Sequence, residues 1–153
     1  MENLVLYQRL PTLRMRYKMK TLDEVKSQVE NLANKIDVPA GMMPSFGNFA
    51  ESVYSYVYIE GHKYHWVVSG NSPSKTDVDT TDSEELFYFV FQTLTEQMGL
   101  VYEILNRNPK WDYRRLAYNH QLELLQKLNS QWKTQREKEI EESLKWYPYK
   151  DNG

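Results

Sequence analysis

The chain has 153 residues and no cysteine, which excludes disulfides, thiol nucleophiles and thiolate metal sites. Its length favours one domain around one hydrophobic core. The net charge of −2 conceals an asymmetry, because residues 1–18 carry a net +3 and residues 19–153 therefore carry −5. An acidic body is the opposite of what binding to nucleic-acid phosphates requires.

No segment predicts a membrane span or a secretory signal. The longest apolar candidate, residues 85–94, has about ten residues, whereas a transmembrane helix needs about 20. The amino terminus has cations without the apolar run and cleavage site of a signal peptide. The lack of cysteine is compatible with a cytosolic protein but does not establish one.

The first predicted helix occupies residues 19–37. Thr21 and Glu24 form a capping box there, and apolar residues follow at helical spacing. Residues 1–18 show no clear period and predict a poorly ordered basic arm. Residues 38–48 contain two prolines and two glycines and predict a loop.

Alternating aromatic and β-branched residues predict a hairpin with strands 53–59 and 62–69. Glutamate disfavours a positive φ and glycine accepts one, so Glu60 and Gly61 predict a type I turn with Gly61 as a bulge. In that register, one face of the hairpin carries five aromatic residues: Tyr54, Tyr56, Tyr58, Tyr64 and Trp66.

Residues 69–82 predict a loop, and three helices follow it, over residues 83–107, 112–128 and 130–146. Together the elements predict an α+β fold in which a small antiparallel sheet packs against a layer of about four helices. Residues 19–149 are predicted to form one domain, and residues 150–153 a tail.

Two adjacent arginines, Arg114 and Arg115, lie in the first turn of the third predicted helix. Neighbouring residues diverge by about 100° around a helix, so they cannot grip one small anion in the same way. The helix dipole disfavours cations in a first turn, so each arginine needs an acceptor. We therefore predict a structural clamp with carboxylates of Asp112 and the preceding helix, notably Glu103; a phosphate site is the alternative.

The sequence predicts no catalytic site, metal site or cofactor. His62 and His65 are three residues apart, which points their side chains to opposite faces of a strand. His120 has no partner acid at a recognisable spacing. A calcium loop counted from Asp77 fails, because Asp82 replaces the required glycine.

Five acids lie between Asp77 and Glu85, where some of them cap a helix and the others face solvent or a basic partner. A row of tyrosines on the hairpin would form an adhesive surface of the kind found at protein interfaces. The predicted partner-binding residues are Tyr54, Tyr56, Tyr58, Asp77, Asp79 and Asp82. A tyrosine-rich strand at an open sheet edge can also pair with the same strand of a second copy, so a homodimer is an alternative.

The order of these motifs resembles the immunity protein 63 family of bacterial polymorphic toxin systems. The resemblance rests on the hairpin with Glu60-Gly61, the acid-capped aromatic helix, the D-x-RR turn at Asp112 and the charged last helix with Trp132. It extends over about residues 53–149 and leaves the first fifty residues uncovered. It implies a cytoplasmic α+β protein that neutralises a cognate toxin domain by binding, without chemistry of its own.

The alternative is a small nucleic-acid or regulatory binding protein that uses the basic amino-terminal arm and the cationic corner between Arg107 and Arg115. An enzyme with a small-molecule substrate is not predicted, since no catalytic constellation is present. Membrane binding is not predicted either.

Overall fold

The computed structural model describes residues 18–47, 54–69 and 75–152. The arm predicted for residues 1–18 lies outside this part of the chain except for Lys18. The elements, in chain order, are α1 Leu22–Lys35, a short 3-10 helix Ala40–Met42, β1 Ser45–Phe46, β2 Ser55–Glu60, β3 Lys63–Ser69, β4 Lys75–Thr80, α2 Ser83–Leu105, α3 Tyr113–Leu128 and α4 Ser130–Trp146.

The predicted α+β class and the four helices are confirmed. The chain divides into two compact units: a sheet unit of residues 1–27 and 44–86, and a helical unit of residues 28–43 and 87–153. The assignment of residues 19–149 to one domain stays a prediction. Among the described residues, every helix is too short or too polar to cross a membrane.

The sheet is mixed and four-stranded, in the order β1-β2-β3-β4, with β1 parallel to β2 and the other neighbours antiparallel. The prediction of a loop over residues 69–82 was wrong, because β4 pairs with β3 from Ser69↔Lys75 to Tyr64↔Thr80. Its sequence, KTDVDT, alternates Lys and Asp, which are depleted in strands, with Thr and Val, which are enriched there. Pairing along the edge of an existing hairpin decides between these opposed preferences.

The predicted turn and register of the hairpin were also wrong. Glu60 pairs with Lys63, so the loop has only two residues, Gly61 and His62. Gly61 has a φ of 61°, whereas His62 has no positive φ, as in a type II′ turn with glycine at its first central position. The shift by one residue places Tyr58 opposite His65 instead of beside Tyr64 and Trp66.

One face of the sheet forms the apolar core of the sheet unit. Val57, Tyr64 and Trp66 are almost completely buried on this face. The Tyr64 hydroxyl accepts a 2.7 Å hydrogen bond from the amide of Lys20, just before α1. Its phenol therefore remains satisfied while its ring is buried.

The helix starts follow the capping signals in the sequence, with one correction. The side chain of Thr21 accepts from the amide of Glu24, and the side chain of Asp82 from the amide of Glu84. The last helix begins at Ser130, as predicted, but the sequence signal there pointed to a serine cap, whereas the cap is Asn129, whose Oδ1 accepts from the amides of Gln131 and Trp132. An asparagine one residue earlier reaches two of the free amides of the first turn.

The helical unit has an aromatic core with a buried polar connection. Phe91 stacks on Trp132 at 6.0 Å between ring centroids. Buried Gln121 of α3 donates to the carbonyl of Gln92 and to Thr95 Oγ1 in α2, and it accepts from Arg136 in α4. A single amide thus joins three helices, and all of its hydrogen-bonding atoms are used.

Candidate interaction surfaces and the arginine clamp

Asp112 lies at the start of α3, where its carboxylate caps the helix and binds an arginine. Oδ1 accepts from the amide and Nε of Arg114 at 3.0 and 3.1 Å. Oδ2 accepts from Arg114 Nη2 and from the amide of Lys150, both at 2.8 Å. Four donors therefore converge on one buried carboxylate, and the hydrogen bonds from Arg114 hold the pKa of Asp112 well below its ordinary value.

The rest of the Arg114 guanidinium binds the segment that follows α4. Nη1 donates to the carbonyl of Tyr147 at 2.7 Å, and Nη2 to that of Pro148 at 2.9 Å. These carbonyls lie just beyond the end of α4, where backbone acceptors are left without helical partners. Arg114 therefore holds the end of one helix against the start of another.

Arg115 completes the arrangement with a separate carboxylate. Its Nε and Nη2 donate to Asp151 at 2.9 and 2.8 Å, and Asp151 Oδ1 also accepts from the amide of Asp112 at 2.8 Å. The ring of Tyr149 lies against both guanidinium groups, 4.1 Å from Cζ of Arg115 and 5.3 Å from Cζ of Arg114. We call Asp112, Arg114, Arg115, Tyr149 and Asp151 the arginine clamp.

The prediction of a carboxylate from the preceding helix was wrong for Glu103, which pairs with Arg107, two residues past the end of α2, at 2.8 and 3.1 Å. Glu103 and Asp112 do line the same groove, of about 310 Å³, together with Trp111 and Tyr113. The sequence predicted three of the five clamp residues and missed two. Asp151 was assigned to the tail, but the sequence did contain a signal for its part in the clamp, since it is an acid just past the proline that ends the last helix.

The arginines of the cationic corner between Arg107 and Arg115 are all ion-paired within the protein. The guanidinium groups of Arg107, Arg114 and Arg115 each bind a carboxylate, and each pairing raises the pKa of the arginine. Their charge is therefore largely neutralised in place. The arginines of this corner therefore connect chain segments to one another and leave little unpaired positive charge for binding a phosphate.

The predicted partner-binding residues fall into different environments. Tyr58 stacks on His65 at 4.3 Å, and its hydroxyl donates to Asp77 Oδ2 at 3.1 Å. His65 Nδ1 lies 2.8 Å from Asp77 Oδ1. Burial, followed by the hydrogen bond to Asp77, raises the pKa of Tyr58 to about 12.

This cluster belongs to what we call the polar face of the sheet, opposite the apolar core face. The strand register assigns eleven residues to it: Ser45, Tyr56, Tyr58, Glu60, Lys63, His65, Val67, Ser69, Lys75, Asp77 and Asp79.

The other four predicted contact residues are dispersed. Asp79 is exposed on the polar face and lies 3.4 Å from Lys63. Tyr56 is only 4% exposed, whereas Tyr54, just before β2, is 56% exposed. Asp82 caps α2. The structure therefore brings Tyr58, Asp77 and Asp79 together on one surface but buries Tyr56.

The third histidine is packed between helices. His120 stacks on Tyr102 at 4.1 Å, and burial lowers its pKa. Within residues 18–47, 54–69 and 75–152, no three histidine or acidic side chains are grouped as metal ligands.

Comparison with protein families adds a finding to this geometry. The model of the immunity protein 63 family matches residues 53–142, more than half of the chain. The chain belongs to the immunity protein 63 family. Comparisons with curated proteins and with solved structures find no match.

The immunity protein 63 match begins before β2 and ends within α4. It therefore includes Asp112, Arg114 and Arg115 but not Tyr149 or Asp151. The part of the arginine clamp that the end of the chain contributes lies outside the range matched by the family model.

Proposed function

We propose that this chain is an immunity protein that binds a cognate toxin domain in the bacterial cytoplasm and neutralises it without chemistry of its own. Membership of the immunity protein 63 family is the observation that carries the proposal. Binding that blocks an active site or holds a toxin inactive requires only a complementary surface. The partner is therefore a toxin protein, with no small-molecule substrate or cofactor.

We propose that the polar face of the sheet contributes the toxin-binding surface. Residues 44–86 contain seven acids and two lysines, so the negative charge of the protein is concentrated there. Asp79 and Glu60 are exposed, and Tyr58 supplies an aromatic ring beside Asp77. The polar face itself carries three acids and two lysines, so the acidic excess comes from residues 44–86 as a whole. Tyr58 together with that excess fits a basic partner surface, because complementary charge accelerates encounter and selects partners.

Co-expression tests the function itself. The chain is produced together with each toxin domain encoded beside its gene, and we expect it to restore growth with one of them and to form a complex with that toxin. Failure to protect against every neighbouring toxin would contradict the proposed function.

Charge reversal on the polar face tests the surface separately. We expect Asp79→Lys to weaken toxin binding at least tenfold and to reduce protection at low expression. The matched control is Asp23→Lys, an exposed acid in the first turn of α1. If both variants bind as tightly as the original chain, the function stands and the proposed surface is wrong.

A further inference from the structure

Two large aromatic side chains lie at the surface on either side of buried Asp112 in the sequence. Trp111 is 47% exposed and Tyr113 is 53% exposed; we call them the aromatic pair. Tryptophan and tyrosine are enriched at protein interfaces, and they often contribute most of the binding energy there. Neither ring is among the contacts of the arginine clamp, so the clamp does not account for their presence at the surface.

The arginine clamp does fix the backbone that carries the aromatic pair. The amide of Trp111 donates to the carbonyl of Asn108 at 3.1 Å, and the amide of Asp112 donates to Asp151 at 2.8 Å. Side chains that project from a fixed backbone lose less conformational freedom when a partner binds. The clamp therefore presents the aromatic pair in a preorganised position.

Two cavities adjoin the aromatic pair, and Tyr113 lines both of them. The first is the groove of about 310 Å³ described above. The second is a pocket of about 100 Å³ between α2 and α3, lined also by Glu96, Leu100 and Arg114. Asp112 lines the groove and Arg114 lines the pocket, so their ion pair lies between the two cavities.

Each cavity contains one charge without an ion pair, and these two charges are opposite. Both carboxylates of the groove and its Arg107 are paired, which leaves exposed Lys150 without an ion pair among the described residues. In the pocket, Arg114 is paired, whereas exposed Glu96 has no ion pair in the same part of the chain. The groove therefore favours an anion and the pocket a cation.

We propose that the aromatic pair is the centre of a second contact with the toxin, in which an acidic toxin side chain enters the groove and a basic one enters the pocket. The acid meets Lys150. The base meets Glu96, and its aliphatic stem lies along Leu100, as the stems of lysine and arginine commonly do on apolar surface. This contact rests on the proposed function, and it is separate from the polar face, because all of its residues belong to the helical unit.

A nucleic acid fits this surface less well than a protein segment. Affinity for nucleic acids comes mainly from neutralising several phosphates. The groove offers one unpaired lysine, and Glu96 in the neighbouring pocket repels phosphate. A protein segment can present one acid and one base together, which matches both cavities.

Truncation of Trp111 tests the aromatic contact. With the toxin identified by co-expression, Trp111→Ala should weaken binding at least tenfold, as at the centre of an interface. Trp146→Ala is the matched control, since Trp146 is 77% exposed and lines neither cavity; it should leave the affinity unchanged. Calorimetry measures the affinity, and circular dichroism confirms that both variants are folded.

Charge reversal tests the two cavities one at a time. Lys150→Glu should weaken toxin binding at least tenfold, and so should Glu96→Lys. Their controls are Lys138→Glu and Glu141→Lys, which reverse exposed charges of α4 outside both cavities and should change the affinity little.

Three results would overturn the proposal while the proposed function stands. The first is a toxin complex as tight with Trp111→Ala, Lys150→Glu and Glu96→Lys as with the original chain. The second is equal weakening by the control variants. The third is binding of single-stranded oligothymidylate that Trp111→Ala abolishes, which would identify a nucleic acid as the occupant. The absence of a complex with any neighbouring toxin would overturn both the contact and the function.

Discussion

At the scale of single residues, Asp112 is the side chain on which the arginine clamp depends. Its carboxylate is buried and receives four hydrogen bonds, two of them from the charged guanidinium of Arg114. Removing one partner of a buried pair leaves the other charge without compensation. Asp112 is therefore expected to contribute to stability through its charge and not only as a helix cap.

We expect Asp112→Asn to lower the free energy of unfolding by about 2–4 kcal/mol at pH 7. Asparagine caps a helix as well as aspartate does, so the substitution isolates the charge. The folded-state pKa of Asp112 is lowered, so its contribution is complete above the ordinary pKa of about 4 and is lost as pH falls towards the folded value. The difference between the two proteins should therefore shrink below pH 4.

Urea unfolding followed by circular dichroism at pH 7, 5 and 3 measures this difference. Asp23→Asn is the matched control, because Asp23 is an exposed acid in a first helical turn and should cost only a few tenths of a kcal/mol. Equal stability of Asp112→Asn and the original chain at pH 7 would show that the charge of Asp112 adds nothing to the stability of the fold.

The sequence predicted part of this clamp for a physical reason. Two arginines in a first helical turn need acceptors, and Asp112 is the nearest acid. The carboxylate of Asp151 was not predicted, because its approach depends on the length and direction of α4, which no local pattern encodes. Glu103 was assigned to the clamp on sequence proximity, but the i,i+4 spacing to Arg107 supplied a closer partner.

At the scale of elements, Gly99 determines how closely α2 and α3 approach. A Cβ added at Gly99 would lie far inside contact distance of the carbonyl oxygen of Ala117, a backbone atom of α3. Glycine weakens a helix by about 1 kcal/mol relative to alanine, so propensity alone predicts that Gly99→Ala is stabilising. We expect the opposite sign, with a loss of about 2 kcal/mol, because overpacking forces a backbone to move.

Thermal and urea unfolding show whether Gly99→Ala raises or lowers the free energy of unfolding. Gly41→Ala is the control, since a Cβ there meets nothing within 4 Å and Gly41 has no positive φ; it should be neutral or slightly stabilising. Stabilisation by Gly99→Ala would show that the two helices can separate without cost.

Helices and strands were not equally predictable from the sequence. The four helices follow caps and apolar periodicity, which are local signals, so their bounds were close. Strand β4 was missed because its lysine and aspartates are depleted in strands, and its structure comes from pairing with β3. The hairpin turn was misjudged at Gly61, and one residue of register moved the tyrosines to a different face.

At the scale of the whole molecule, the order of motifs indicated the family, but the sequence could not tell which of the predicted contact residues are exposed. Exposure is a tertiary property: Tyr56 and Tyr58 are two residues apart on one face, yet Tyr56 is the more deeply buried. Likewise, Leu100 to Leu105 continue the apolar band of α2 in the sequence. Their exposure depends on which side of the helix is packed, since Glu103 in the same turns is buried and Tyr102 stacks on His120.

Charge is distributed unevenly along the chain. Residues 44–86 carry a net −5, whereas residues 87–153 contain ten cationic and nine anionic side chains. The acidic stretch includes Glu60 and Asp79 on the polar face. A basic toxin would thus be attracted mainly by this stretch. Complementary charge raises the association rate of a complex more than it slows dissociation.

On the basis of the proposed function, we expect the association rate with the toxin to fall about tenfold between 20 and 300 mM salt, since screening shortens the range of attraction. Glu60→Gln combined with Asp79→Asn should lower the rate at low salt and flatten its salt dependence, with little change in dissociation. Stopped-flow or biolayer kinetics separates the two rates. Glu137→Gln combined with Glu141→Gln, in α4, is the charge-matched control. If this pair flattens the dependence equally, attraction reflects total charge, and the polar face has no special part in it.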